Sequence, residues 1–183
     1  SVNKKEKNTV IISYMGTMTK SQKPSMFFQS INELNLDQEK YRIDLIGNIH
    51  PDIKSYIQNN KYDNFIKIKP YVPHKEAIRK MCVSDFLLLA IPNTKKNMGI
   101  VTGKLFEYIR SMRKIIMIGP PNSDAAKIIA QTNSGICFDY NEKNKIKHLL
   151  MENNLPTTSN YQQYSRESLT KTLSLVFEKV DLK

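Results

Sequence analysis

Near the middle of the chain, Thr102-Gly103-Lys104-Leu105-Phe106-Glu107-Tyr108-Ile109 combines residue types that suit an anionic, hydroxyl-bearing ligand. A helix begun near Gly103 points Leu105, Ile109 and Met112 at i, i+4 and i+7 toward a core. Lys104, Glu107, Tyr108 and Ser111 then occupy a different face, and Lys104 and Glu107, three apart, are neighbours. The small Thr102-Gly103 pair leaves backbone N–H groups free to meet an anion, reinforced by the helix dipole. Phosphates at that tip would suit Lys104. One turn further in, the Glu107 carboxylate is shaped to accept two hydroxyls, such as those of a ribose. The same residues also read as an ordinary surface Lys–Glu pair with Thr102 as the helix cap.

Such a helix must be positioned by a sheet, and the chain alternates short β-branched runs with amphipathic stretches, the pattern of a parallel α/β sheet. Strands are predicted over 9–15, 41–46, 65–68, 85–91, 114–118 and 136–138. Helices are predicted over 23–36, 51–58, 73–82, 103–112, 123–131, 141–151 and 166–180, with a polar connection over 153–163. The helix at 73–82 carries Ala77, Ile78 and Met81; the last carries Leu169, Leu173, Val176 and Val180 on one stripe. Six strands with intervening helices predict one doubly wound, Rossmann-like domain. Ligands of such sheets bind outside the carboxyl ends of the strands, where strand order reverses. The residues that follow the strands are therefore the candidates: Gly16-Thr17, Gly47-Asn48, Tyr71-Val72-Pro73-His74, the stretch 92–104 and Gly119-Pro120. No G-x-G-x-x-G follows the first strand, which weighs against NAD or FAD, and no Walker A sequence is present.

At 183 residues the chain is the size of one domain, and 40% hydrophobic with 25% charged residues is enough apolar material for a core. The longest apolar run, Phe86 to Ile91, is far short of the roughly 20 residues of a membrane span. No secretory signal is visible, so a cytoplasmic location is expected. Cys82 and Cys137 are far apart, form no C-x-x-C, and are read as two buried reduced thiols; with His50, His74 and His148 scattered, no metal site is expected. The net charge of +11 invites a nucleic-acid reading, but residues 1–80 carry 14 of the 28 Lys and Arg and the rest carry the other 14, with no basic block. Most are Lys, in a chain also rich in Asn and Ile, which is the mark of A/T-rich coding. Weak attraction to an anionic membrane surface or an anionic ligand is the expectation, and nucleic-acid binding is not.

The segment 102–108, followed by Arg113-Lys114-Ile115-Ile116, resembles the "gKlfEYlasgkPil" stretch of bacterial GT-B glycosyltransferases (group 1, family-4-like) that build surface polysaccharides. In order and spacing, Tyr14-Met15-Gly16 resembles the "Y-x-G" opening of their C-terminal donor domain, and Leu45-Ile46-Gly47 its "l-i-G" strand end. Tyr71-Val72-Pro73-His74-Lys75-Glu76-Ala77 resembles "yvphkea", and Ser84-Asp85-Phe86-Leu87-Leu88 the "aD-x-l-l" strand. The likeness runs over about residues 9 to 180.

That resemblance implies a lobe that binds a nucleotide sugar as substrate, with no cofactor and no obligatory metal. Glu107 would accept the ribose hydroxyls, and Thr102-Gly103 with Gly16-Thr17 opposite would surround the diphosphate. The turn at Tyr71-Val72-Pro73 would lie along the base, and His74 would either approach the nucleotide or cap the next helix. Many relatives place a basic pair after the first strand. Here Thr17 follows Gly16, so Lys20, Lys23 or Lys104 must neutralise the diphosphate, and Lys23 reads equally as a solvated side chain. The retaining branch often carries a glutamate eight residues before the one matching Glu107. This chain has Gly99 there, with Asn97 and the Met98-Gly99 backbone as the groups at hand. Asp85 is read as a strand-start cap.

A GT-B enzyme has two lobes and this sequence spans one, so residues 1–8 are expected to be a linker remnant and 9–183 the donor-binding domain. The N-terminal acceptor lobe is then absent, and the fragment is expected to be inactive alone, with the outward apolar residues of its last helix exposed. The alternatives are a lobe of a GT-B sugar-nucleotide epimerase, which would share the nucleotide site, and a non-catalytic polyanion-binding α/β domain. A receiver-like module is disfavoured, because Tyr14-Met15-Gly16 stands where a phosphoacceptor aspartate would be.

Overall fold

The computed structural model describes residues 9–38, 40–152, 159 and 161–181; the expected linker 1–8 and most of the expected connection 153–163 lie outside it. Six strands form one parallel sheet: β1 (Val10–Met15), β2 (Tyr41–Ile46), β3 (Ile66–Lys69), β4 (Phe86–Ala90), β5 (Lys114–Ile118) and β6 (Gly135–Phe138). Their spatial order is β3-β2-β1-β4-β5-β6, so the order reverses between β1 and β4. The expected doubly wound, Rossmann-like fold is present, and its switch point is the crevice between the ends of those two strands.

Two helical layers cover the sheet. Phe27, Phe28, Ile31 and Leu34 of α1 (Ser25–Gln38), Ile53 and Ile57 of α2 (Pro51–Asn59) and Ile146, Leu149 and Leu150 of α6 (Lys143–Glu152) bury against one face. Met81 of α3 (His74–Val83), Leu105, Tyr108 and Ile109 of α4 (Gly103–Arg110), and Ala125, Ala126 and Ile129 of α5 (Asp124–Gln131) bury against the other. Strand alternation divides β1 accordingly: Ile12 and Tyr14 face the first layer and Met15 the second. All five residues of β4 are buried, as expected of a central strand covered on both sides. Asp85 does cap at the strand start, its carboxylate accepting from the Ile11 N–H at 2.8 Å.

Three sequence expectations are corrected. Tyr108 does not share the outer face of α4 with Lys104 and Glu107 but is wholly buried. Its hydroxyl accepts a hydrogen bond from the Met15 N–H at 2.9 Å, which satisfies the phenol inside the core. Met112 does not continue the core stripe, because α4 ends at Arg110 and Met112 takes a positive φ of 58° that turns it outward, 48% exposed. Nor are both cysteines buried. Met81 takes the inward position at the end of α3, leaving Cys82 exposed, and Ile78 is likewise outward. Cys137 is partly covered, and burial pushes its thiol up to about 12.

The last helix, α7 (Arg166–Asp181), is present, and Leu169 and Leu173 of the expected stripe are about half exposed, as are Leu175 and Phe177. The side chains of Val176 and Val180 lie outside the described set.

Candidate functional site

The geometry after β1 is set by two glycines. Gly16 and Gly47 both have positive φ, 100° and 129°, a region that L side chains rarely adopt. A Cβ on Gly47 would stand 2.4 Å from the Gly16 carbonyl oxygen, so the ends of β1 and β2 touch backbone to backbone. The chain then runs through exposed Thr17 to a single parallel bridge, Met18 to Ile49. Gln22 fastens the next turn, Lys20–Gln22, to the far side of the switch point. Its amide nitrogen donates to the Ala90 carbonyl at 2.8 Å while its amide oxygen accepts from the Thr19 N–H. The Asn93 N–H donates to the Ser21 carbonyl at 2.8 Å, which stitches the loop after β4 to the same turn.

Into this frame α4 delivers Lys104. Its ammonium donates to the Tyr14 hydroxyl at 2.6 Å and to the Thr17 carbonyl at 3.2 Å, and lies 4.2 Å from the centroid of the Tyr14 ring. It is also 3.5 Å from where a Cβ on Gly16 would be. Lys104 belongs to the α3–α5 layer and Tyr14 to the α1–α2–α6 layer, so the side chain crosses the carboxyl edge of the sheet at the switch point. An ammonium has three N–H donors. Two are used, and the third has no protein acceptor among the described residues. Burial brings the amine down to about 8, with the nearby Glu107 carboxylate opposing the shift. A cation held partly desolvated with a donor to spare is suited to an anion.

The tip of α4 has the same character. Thr102 is the N-cap residue but makes no side-chain capping bond, and its hydroxyl is buried without a partner. The Leu105 N–H turns back to the Thr102 carbonyl, whereas those of Gly103 and Lys104 have no protein acceptor among the described residues. A Cβ on Gly103 would meet nothing within 4 Å, so the space over the helix tip is open. Glu107, one turn further in, is exposed, with no hydrogen-bond or ion-pair partner among the described residues. Its charge is close enough to Lys104 to raise that amine's proton affinity.

The structure thus brings Gly16, Thr17, Thr102, Gly103, Lys104 and Glu107 to one place. Of the three lysines considered for an anion, the other two turn away. Lys20 pairs with Asp52 at the start of α2 at 2.8 Å, and the Lys23 ammonium sits 3.9 Å from the Tyr56 ring centroid. Tyr71, Val72 and His74 follow β3, two strands from β1. Tyr71 is 76% exposed, Val72 packs on the second core, and His74 is the exposed first residue of α3, where Pro73 holds the cap position. At the position of interest eight residues before Glu107, a Cβ on Gly99 would have the Asp124 carboxylate 4.0 Å away. Asn97 is buried, its amide donating to the Pro92 carbonyl and to the Tyr140 hydroxyl, both at 3.2 Å. It holds the loop rather than pointing at a ligand.

Sequence reasoning did not find Tyr14 as a partner of Lys104. The only signal was its place two residues before the first glycine turn. Among the described residues no group of three or more metal-ligating side chains occurs, and no helix is long and apolar enough to cross a membrane. A separate cavity of about 360 Å³ lies between β6 and α6, lined by residues that include Ile136, Phe138, Lys145 and His148.

The sequence matches no protein-family model and no curated protein. Solved structures do share the fold. Anabaena HepE, crystallised with UDP and glucose, superposes with a TM-score of 0.66 at 11% identity, over 96% of this chain and 49% of that one. AviGT4, a glycosyltransferase of avilamycin A biosynthesis, gives 0.61 at 13% identity over 86% of this chain and 46% of its own. The C-terminal domain of the Francisella tularensis group 1 glycosyl transferase LpcC gives 0.58 at 14%, over 78% and 74%. The chain spans about half the length of the first two. What it shares with them is the fold, a Rossmann-like parallel sheet covered by helices on both faces.

Proposed function

We propose that this chain is the donor-binding lobe of a glycosyltransferase, and that a nucleotide sugar docks at the switch point between β1 and β4. The observation that carries the reading is Lys104, held over Gly16 and Thr17 with one N–H unspent and the tip of α4 open beside it. Its ammonium neutralises the diphosphate together with the free N–H groups of Gly103 and Lys104, and the Thr102 hydroxyl gains the partner it lacks. Glu107, unpaired and on the same side, accepts the ribose hydroxyls. Tyr71, Val72 and His74, at the end of β3, border the base.

Stabilising a departing diphosphate by fixed donors and one partly buried cation is electrostatic catalysis of the kind that needs no metal at the phosphates. HepE, which shares this fold over about half its length, was crystallised with UDP and glucose, which supports a nucleoside diphosphate as the ligand class here. The acceptor and the closing half of the cleft come from a second lobe, so the chain alone binds donor weakly and does not turn it over. The setting that fits is polysaccharide or glycan assembly in a bacterial cytoplasm, with the lysine-rich surface lending weak affinity for an anionic membrane.

The test is a titration of the ¹⁵N-labelled chain with UDP, GDP and ADP. Shifts at Gly16, Thr17, Gly103 and Lys104 are expected with one of the three, and Glu107→Ala weakens that response while leaving the fold intact. Silence at these positions with all three would overturn the proposal.

A further inference from the structure

Resting on that reading of the site, we propose that Tyr14 is the positioning residue for Lys104: its buried hydroxyl, fixed by the Thr17 carbonyl, holds the ammonium over Gly16 and aims its remaining N–H at the diphosphate. Tyr14 is completely buried at the end of β1. Its hydroxyl donates to the Thr17 carbonyl at 2.5 Å and accepts from Lys104 at 2.6 Å, so the phenol has one orientation and one acceptor direction. A lysine side chain has four rotatable carbons and little geometric preference of its own. Two fixed oxygens, the Tyr14 hydroxyl and the Thr17 carbonyl, supply what it lacks.

The phenol is well suited to that task. Burial raises its pKa, an effect the neighbouring Gln22 amide only partly offsets, so Tyr14 stays neutral wherever Lys104 titrates. A neutral hydroxyl orients the ammonium without neutralising it, whereas a carboxylate in its place would compete with the incoming phosphates. The other charged group acting on Lys104 is Glu107 on its own helix, and the buried, neutral Tyr108 lies on the Tyr14 side with its hydroxyl on the Met15 N–H. Lys20 and Lys23 are engaged with α2 and do not face it.

The test compares wild type with Tyr14→Phe, which keeps the ring and loses only the hydroxyl. The Thr17 carbonyl retains its bond from Lys104, so no acceptor is orphaned and the fold is preserved. Two quantities are read: the dissociation constant for UDP, with inorganic pyrophosphate as a base-free probe, and the titration midpoint of the Lys104 amine by NMR in the ligand-free chain. Tyr14→Phe is expected to weaken both ligands about tenfold, the loss typical of one charge-assisted hydrogen bond, and to lower the Lys104 midpoint. A purely structural role would lower the melting temperature and leave that midpoint in place. Site-specific 3-fluorotyrosine at position 14, a poorer acceptor of unchanged shape, should move the midpoint in the same direction by less, and serves if the phenylalanine variant does not fold. Equal affinity and an equal midpoint in the variants would overturn the role of Tyr14 while leaving the nucleotide site standing. A wild-type chain that binds neither probe would overturn the nucleotide site, and the ligand-free midpoint would still decide whether Tyr14 holds the lysine.

Discussion

Replacing Lys104 by Met keeps the length and apolar stem of the side chain and removes the charge, and its consequences follow from the contacts just described. In the ligand-free protein the ammonium is partly desolvated and its pKa lies near 8. With a diphosphate bound, its spare N–H meets an anionic oxygen. A charge-assisted hydrogen bond of that kind contributes about 1.5–3 kcal/mol, so Lys104→Met should weaken UDP by about 10- to 150-fold and leave uridine unaffected. The pH dependence has a definite sign. A bound anion favours the protonated amine, so the pKa in the complex lies above that of the free protein. Affinity is therefore fully present below about pH 8 and is lost as pH rises through 8 toward the bound value, by at most about tenfold per pH unit. Isothermal titration with UDP and uridine between pH 7 and 10 reads both effects, and the slope should vanish in Lys104→Met. An unchanged UDP affinity in the variant, or a flat wild-type profile across pH 8, would mean that the Lys104 ammonium does not meet the diphosphate.

Other outcomes follow from the same geometry. The unfolded chain holds the Lys104 proton up to its ordinary pKa while the folded chain releases it near 8, so wild-type stability gains from this group as pH rises between those values. Lys104→Met should remove that gain and raise the melting temperature at pH 7 by about 2–4 °C, as expected for roughly 1 kcal/mol in a chain of this size; a lower melting temperature would contradict the desolvation argument. Gly47→Ala forces a Cβ against the Gly16 carbonyl at a positive φ and should cost on the order of 3 kcal/mol, lowering the melting temperature by about 6–12 °C; a silent variant would mean that the two strand ends do not touch. Leu173→Ser on α7 should change stability by less than about 0.5 kcal/mol, because that side chain is already half exposed; chemical denaturation would expose a larger role if one exists.

The sheet was readable from sequence because its signals are local. Six β-branched runs separated by amphipathic stretches have few arrangements other than a doubly wound sheet, and the unbroken apolar run Phe86–Ile91 has the composition of a strand covered on both faces. The Thr102 to Glu107 segment was readable for the same reason, since helix spacing alone puts Lys104 beside Glu107. What the sequence concealed is tertiary. Lys20, Lys23 and Lys104 look alike as candidates, and only the pairing of the first two with Asp52 and Tyr56 of α2 leaves the third for the switch point. On α4, helix spacing picks out Leu105, Ile109 and Met112, whereas Leu105, Tyr108 and Ile109 turn inward. A tyrosine can occupy a core position once its hydroxyl has a partner, and the Met15 N–H that serves Tyr108 comes from a strand 93 residues away. The outward turn of Met112 depends on a positive φ at a non-glycine residue, for which Ser111-Met112-Arg113 carries no signal. Tyr14 was visible as part of a strand end, but its grip on Lys104 spans 90 residues.

The most direct measurement is a crystal structure of the chain with UDP, or with whichever nucleoside diphosphate the titrations select. Phosphate oxygens are expected within hydrogen-bond distance of the Lys104 ammonium and the N–H groups at the tip of α4, with ribose hydroxyls on the Glu107 carboxylate. A nucleotide seated elsewhere, for instance in the cavity between β6 and α6, with Lys104 still closed on Thr17 and Glu107 facing only water, would contradict it.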